Sequence, residues 1–140
     1  MHKFQWFEAL EVGVEVIDND HREMLSMLQR IQDAIREQSL ATSKELVSEF
    51  ILLTRSHFTT EEKILEEADF PNLKKHRVAH GELLAQAIDL GKIIVNATHV
   101  DELSEHLDDL AGFLFHDLIG SDMEFKSYLQ ECGAAERGRF

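Results

Sequence analysis

Seven side chains able to bind a metal ion fall in phase with apolar stripes of this sequence: His21, His57, Glu61, His76, His80, Asp117 and Asp122. His57 and Glu61 stand four residues apart, as do His76 and His80. On a helix that spacing sets two side chains about 40° apart on one face. No Lys or Arg shares the stripes, and an unpaired carboxylate is costly to bury. A metal ion supplies the missing positive charge. Imidazole plus carboxylate without thiolate suits iron, manganese or zinc. Seven donors exceed what one tetrahedral zinc takes, which favours two metals bridged by carboxylates.

Helices are needed to hold these donors, because apolar residues recur at three and four rather than at two. The first is expected from Asp18 or Asp20, where Asp20 and Glu23 have capping-box spacing, to about Gln38. Its stripe runs from His21 through Met24 and Leu28 to Ile35. The second follows Thr42, with Glu45 three residues on, and reaches about Ala68. Pro71 opens the third in the first-turn position, and that helix runs to about Val95. Thr98 and Asp101 signal the start of the fourth, which reaches Gly120 and is followed by a last helical piece with Phe125, Tyr128 and Leu129. Asp117 and Asp122 would lie about 140° apart on an ideal helix, so they converge only if the chain bends, and Gly120 permits a bend.

The expected fold is all-α, an antiparallel up-down-up-down four-helix bundle with an N-terminal arm. Residues 1–140 read as one domain: an arm over 1–17 with Phe4, Trp6 and Phe7 packed along the bundle, the bundle over 18–130, and a tail over 131–140. With 14 Lys and Arg against 27 Asp and Glu, the net charge of −13 argues against nucleic acid or an anionic membrane as partner. A single cysteine, Cys132, allows no intramolecular disulfide. The N-terminus lacks a signal-peptide pattern, and no apolar run approaches the ~20 residues of a membrane helix, so a cytoplasmic protein is expected. His2, His99, His106 and His116 read as surface residues, and Glu62 and Glu66 as a solvated face.

Taken together the motifs resemble the hemerythrins, specifically bacterial hemerythrin domains. The resemblance lies in Gly13-Val-Glu-Val-Ile-Asp18-Asn-Asp-His21, in His57-Phe-Thr-Thr-Glu61-Glu62 and in Pro71-Asn-Leu-Lys-Lys-His76-Arg-Val-Ala-His80, and it covers nearly the whole chain. It implies two non-heme irons in an oxo- or hydroxo-bridged centre. His21 and His57 would hold one iron and His76 and His80 the other, with Glu61 and Asp122 as bridges. It also implies reversible O2 binding at the iron with fewer protein ligands, inside a dry apolar pocket. Met24, Leu28, Phe58, Phe113 and Leu114 are the candidate walls of that pocket.

The fourth motif departs from the family pattern of His-x-x-x-x-Asp. Five residues before Asp122 stands Asp117, with His116 one position early. Helix phase turns Asp117 inward, after Leu110 and Leu114, whereas a one-residue bulge would present His116 instead. An aspartate there adds negative charge at the second iron and favours the ferric state. O2 carriage, storage or sensing is the expected role, against an oxidase or peroxidase, an NO-binding protein, or a structural or zinc-loaded bundle. Sensing would need a separate protein partner for its output.

Overall fold

The structure, a computed structural model, describes residue 6 and residues 8–132. A 3-10 turn at Glu8–Leu10 leads into α1 (Glu15–Arg36), α2 (Leu40–Glu67), α3 (Leu73–Asn96), α4 (Asp101–Ile119) and α5 (Ser121–Cys132). The first four helices run alternately up and down, with α1 against α2 and α4, and α3 against α2 and α4. The all-α antiparallel bundle expected from periodicity is therefore what forms. Phe4 and Phe7 of the expected arm, His2, and residues 133–140 of the expected tail lie outside the described residues.

α4 starts at Asp101 as expected, whereas the starts of α1, α2 and α3 differ from the capping expectations. α1 begins at Glu15, ahead of Asp18, because the Asp18 carboxylate reaches back to the arm. It accepts the Val12 N–H at 2.8 Å and the Gly13 N–H at 3.1 Å, where Gly13 takes φ 91°, a conformation glycine adopts without strain. Burial raises the Asp18 pKa, against the lowering effect of those two backbone hydrogen bonds. Asp20 forms no cap and turns to α2 instead. α2 starts after Ser39 rather than Thr42, and Pro71 lies in the turn before Asn72, the residue that precedes α3. At α4, Glu102 accepts the N–H groups of Thr98 and His99, so the cap is a carboxylate inside the helix rather than Thr98.

Two apolar clusters fill the bundle. The larger runs along the helices from Met24, Leu28 and Ile31 to Leu83, Leu90, Leu107 and Leu114, with Trp6 of the arm packed on it. The smaller closes one end, where Val12, Val14 and Ile17 meet Leu65, Phe70, Phe125 and Leu129. The Tyr128 hydroxyl fastens α5 by donating to the Ala68 carbonyl at 2.6 Å. Gly120 separates α4 from α5, and a Cβ there would approach the His116 carbonyl oxygen to 3.0 Å. The chain thus breaks between Asp117 and Asp122, at the glycine where the sequence permits a bend.

Asp18→Ala leaves the buried Val12 N–H without its acceptor. The substitution is expected to cost about 1–3 kcal/mol and to lower Tm by several degrees in a thermal melt. An unchanged Tm would contradict the anchoring role given to Asp18.

Candidate metal centre

Six of the seven predicted donors meet at the junction of the two clusters. α1 brings His21, α2 brings His57 and Glu61, α3 brings His76 and His80, and α5 brings Asp122, each 1–2 % exposed. Their donor atoms form two groups, His21, His57 and Glu61 in one and Glu61, His76, His80 and Asp122 in the other, so Glu61 belongs to both.

The two carboxylates span the groups. Glu61 Oε2 lies 2.5 Å from His57 Nε2 and 3.2 Å from His21 Nε2, while Oε1 contacts His76 Nε2 and lies 3.2 Å from His80 Nε2. Asp122 repeats this, with Oδ2 3.4 Å from His21 Nε2 and Oδ1 3.2 Å from His76 Nε2. His21 and His57 bring their Nε2 atoms to 2.9 Å. Ligands about 2.1 Å from one ion and at right angles to each other stand about 3 Å apart, which is the scale of these separations.

The ring orientations are set from outside. His57 Nδ1 donates to Asp20 at 2.9 Å and His80 Nδ1 donates to Glu62 at 2.9 Å. With the proton on Nδ1, the neutral rings turn the Nε2 lone pair into the cluster, the arrangement of a metal-binding histidine with its supporting carboxylate. Sequence reading took Asp20 for a cap and Glu62 for a solvated residue; both support histidines. The signal was available: Asp20 precedes His21 and Glu62 follows Glu61, so both sit at the edges of the donor stripes. Glu66 is exposed as expected.

Asp117 is buried on the same interior, but it falls outside both donor groups, and its Oδ1 has no hydrogen-bond partner. Burial, then the charge of Asp122, pushes its pKa up to about 6 against the pull of His80 and His76. His116 is exposed, as are His99 and His106. Among the candidate pocket walls, Met24, Leu28, Phe58 and Leu114 are buried, whereas Phe113 is 40 % exposed. It sits on the outward side of α4 beside Gly112 and His116, so it is no wall of an interior pocket.

The donor set fits a cation rather than a hydrogen-bond network. Both Asp122 oxygens are buried without a hydrogen bond, and no Lys or Arg is buried among the described residues. Burial lowers the His57 pKa, but Glu61, Asp20 and Asp122 more than reverse it, to about 10. Burial likewise lowers His76, and Asp122 and Glu61 raise it to about 10. Glu61 is driven up by burial and, more strongly, down by His57, His21 and His76, so it stays ionised. A pair of cations is what these carboxylates demand, from protons or from metal.

Comparison with known proteins agrees. Residues 12–129 match the family described as Hemerythrin HHE cation binding domain. Bacteriohemerythrin of Stenotrophomonas maltophilia is 29 % identical over 121 residues, covering 86 % of this chain and 77 % of that protein. Bacteriohemerythrin of Pseudomonas aeruginosa is 32 % identical over 75 residues, covering 54 % of this chain and 49 % of that protein. A myohemerythrin of Theromyzon tessulatum is 21 % identical over 126 residues, covering 90 % and 93 %.

Two outcomes are expected. Asp20→Asn and Glu62→Gln each weaken metal affinity by about 10–100-fold in a chelator competition, while the exposed Glu66→Gln does not; equal affinities would remove the supporting role. In metal-free protein, His57 and His76 hold protons in the folded state up to about pH 10 but release them near 6.5 when unfolded. Their contribution is complete below 6.5 and lost as pH rises through 10, so the metal-free Tm falls across that window. A flat metal-free Tm there would contradict the protonated cluster.

Proposed function

The chain belongs to the hemerythrin family, and from that premise we propose that it is a non-heme di-iron protein that binds O2 reversibly for carriage, storage or sensing. The observation that carries the reading is the sharing of Glu61 between two groups of donors, with Asp122 spanning them a second time. When bound, two irons supply the electrons and the open coordination position that reversible O2 binding needs.

The protein's own residues do the rest. His21 and His57 would hold one iron and His76 and His80 the other, with Glu61 and Asp122 shared between them. Asp20 and Glu62 fix the His57 and His80 tautomers. Met24, Leu28, Phe58 and Leu114 are buried and would keep water from the centre. O2 is the ligand in this reading, with NO or peroxide as lesser ones. Residues 1–140 act as one domain, and no helix of the described residues is long and apolar enough to cross a membrane.

Asp117 supports a second reading, a di-iron oxidase or peroxidase. It is a buried third carboxylate where the family pattern carries histidine, and its negative charge beside the His76 and His80 half-site favours the ferric state. In the first reading Asp117, whose buried Oδ1 has no hydrogen-bond partner, would complete that half-site.

The test is a visible spectrum of iron-loaded, reduced protein before O2, after O2 and after argon purging. A band that appears with O2 and fades under argon is expected, and Asp117→His should make the O2-bound form decay more slowly. Direct, irreversible conversion to the ferric spectrum would overturn the carrier reading in favour of O2 consumption.

A further inference from the structure

Between α2 and α3, on the outer side of His80, the surface opens into a groove of about 610 Å3, within the range of small-molecule sites. α2 contributes Arg55 and Lys63, α3 contributes Arg77 and Gly81, and Phe58 and His80 lie at its floor. Arg77 is held by Glu62 at 3.1 Å and Glu66 at 3.3 Å, whereas Arg55 and Lys63 have no carboxylate partner among the described residues. The groove therefore holds a surplus of positive charge on a chain of net charge −13. Charges beyond about 8 Å are largely screened at physiological ionic strength, so an anion in the groove responds to the local surplus.

Gly81 leaves part of the groove's wall bare. It lies inside α3, where glycine weakens a helix relative to alanine. A Cβ there would meet nothing within 4 Å, and its φ is not positive, so neither packing nor backbone conformation calls for glycine. What glycine provides is a bare stretch of wall that a molecule can approach closely. Beside it Phe58, 6 % exposed and stacked on His80 with centroids 3.8 Å apart and planes 8° from parallel, forms with Leu84 the apolar part of the lining.

We propose that this groove binds a small organic anion, its phosphate or carboxylate on Arg55 and Lys63 and its apolar body against Gly81, Leu84 and the exposed part of Phe58. Glu62, which lines the same groove and holds Arg77, is the acceptor of the His80 Nδ1–H, so groove and metal centre share one hydrogen-bond chain. That coupling rests on the di-iron reading; binding in the groove does not.

Calorimetric titration of the iron-loaded full chain with inorganic phosphate, adenosine monophosphate and benzoate tests the site. The nucleotide is expected to bind at least tenfold more tightly than inorganic phosphate, because only it covers the apolar part of the lining. The double variant Arg55→Gln/Lys63→Gln, and separately Gly81→Leu, should each weaken binding tenfold or more at unchanged iron content. Arg30→Gln, remote from the groove, should bind as wild type. Whichever of nucleotide and benzoate binds more tightly identifies the headgroup. Dissociation constants all above about 10 mM, or groove variants that bind as wild type does, would overturn the proposal. A visible spectrum that shifts on saturation supports the coupling and an unchanged one refutes it. Failure of O2 binding with intact titrations counts against the di-iron carrier alone.

Discussion

Glu61 is buried, ionised and held by all four histidines, and most of the molecule follows from that arrangement. A carboxylate in the interior without compensating charge is among the most costly groups a fold can contain. Here it is joined by Asp117 and Asp122, and burial first, then the charge of Asp122, raises the Asp117 pKa. Four imidazoles from three helices surround the group, and no Lys or Arg is buried among the described residues. A bundle packed for stability alone gains nothing from such an interior. An interior built to hold cations requires it.

That demand reaches outward through layers of decreasing burial. His57 and His80 are pinned by half-buried carboxylates, and Glu62 is pinned in turn by the exposed Arg77. The end cluster around Phe70 and Phe125 closes the site from the other side, and Tyr128 ties it to the α2–α3 turn. Because α5 starts anew after Gly120, Asp122 can face His21 and His76 from a direction that a continuous α4 would not allow. Rigid positioning by helices rather than loops suits a centre whose donor atoms must converge to within a few tenths of an ångström.

Much of this was legible in the sequence because donors at three- and four-residue intervals share a helix face whatever the details of the helix ends. The stripes placed His21, His57, Glu61, His76 and His80 on interior faces, and the bend needed for Asp122 was readable from Gly120. The start of α4 at Asp101 was legible but that of α1 was not, since Asp18 spends its carboxylate on the arm and Asp20 spends its on His57, both choices that a local capping pattern does not contain. The support by Glu62 was missed for the same reason: its partner His80 is eighteen residues away on another helix. Phe113 was misplaced because an aromatic residue near the donor motif looked like a pocket wall, whereas α4 turns it outward. Asp117 was placed on the interior by phase, but phase carries no distance, and the residue stands outside the two donor groups.

The central claim is that one carboxylate joins two metal positions. It is tested most directly by anomalous X-ray scattering from crystals of the iron-loaded protein. Two iron positions about 3.5–4 Å apart, with Glu61 and Asp122 each touching both, are the expected result. A single iron position, or two with Glu61 bound to only one of them, would contradict the account.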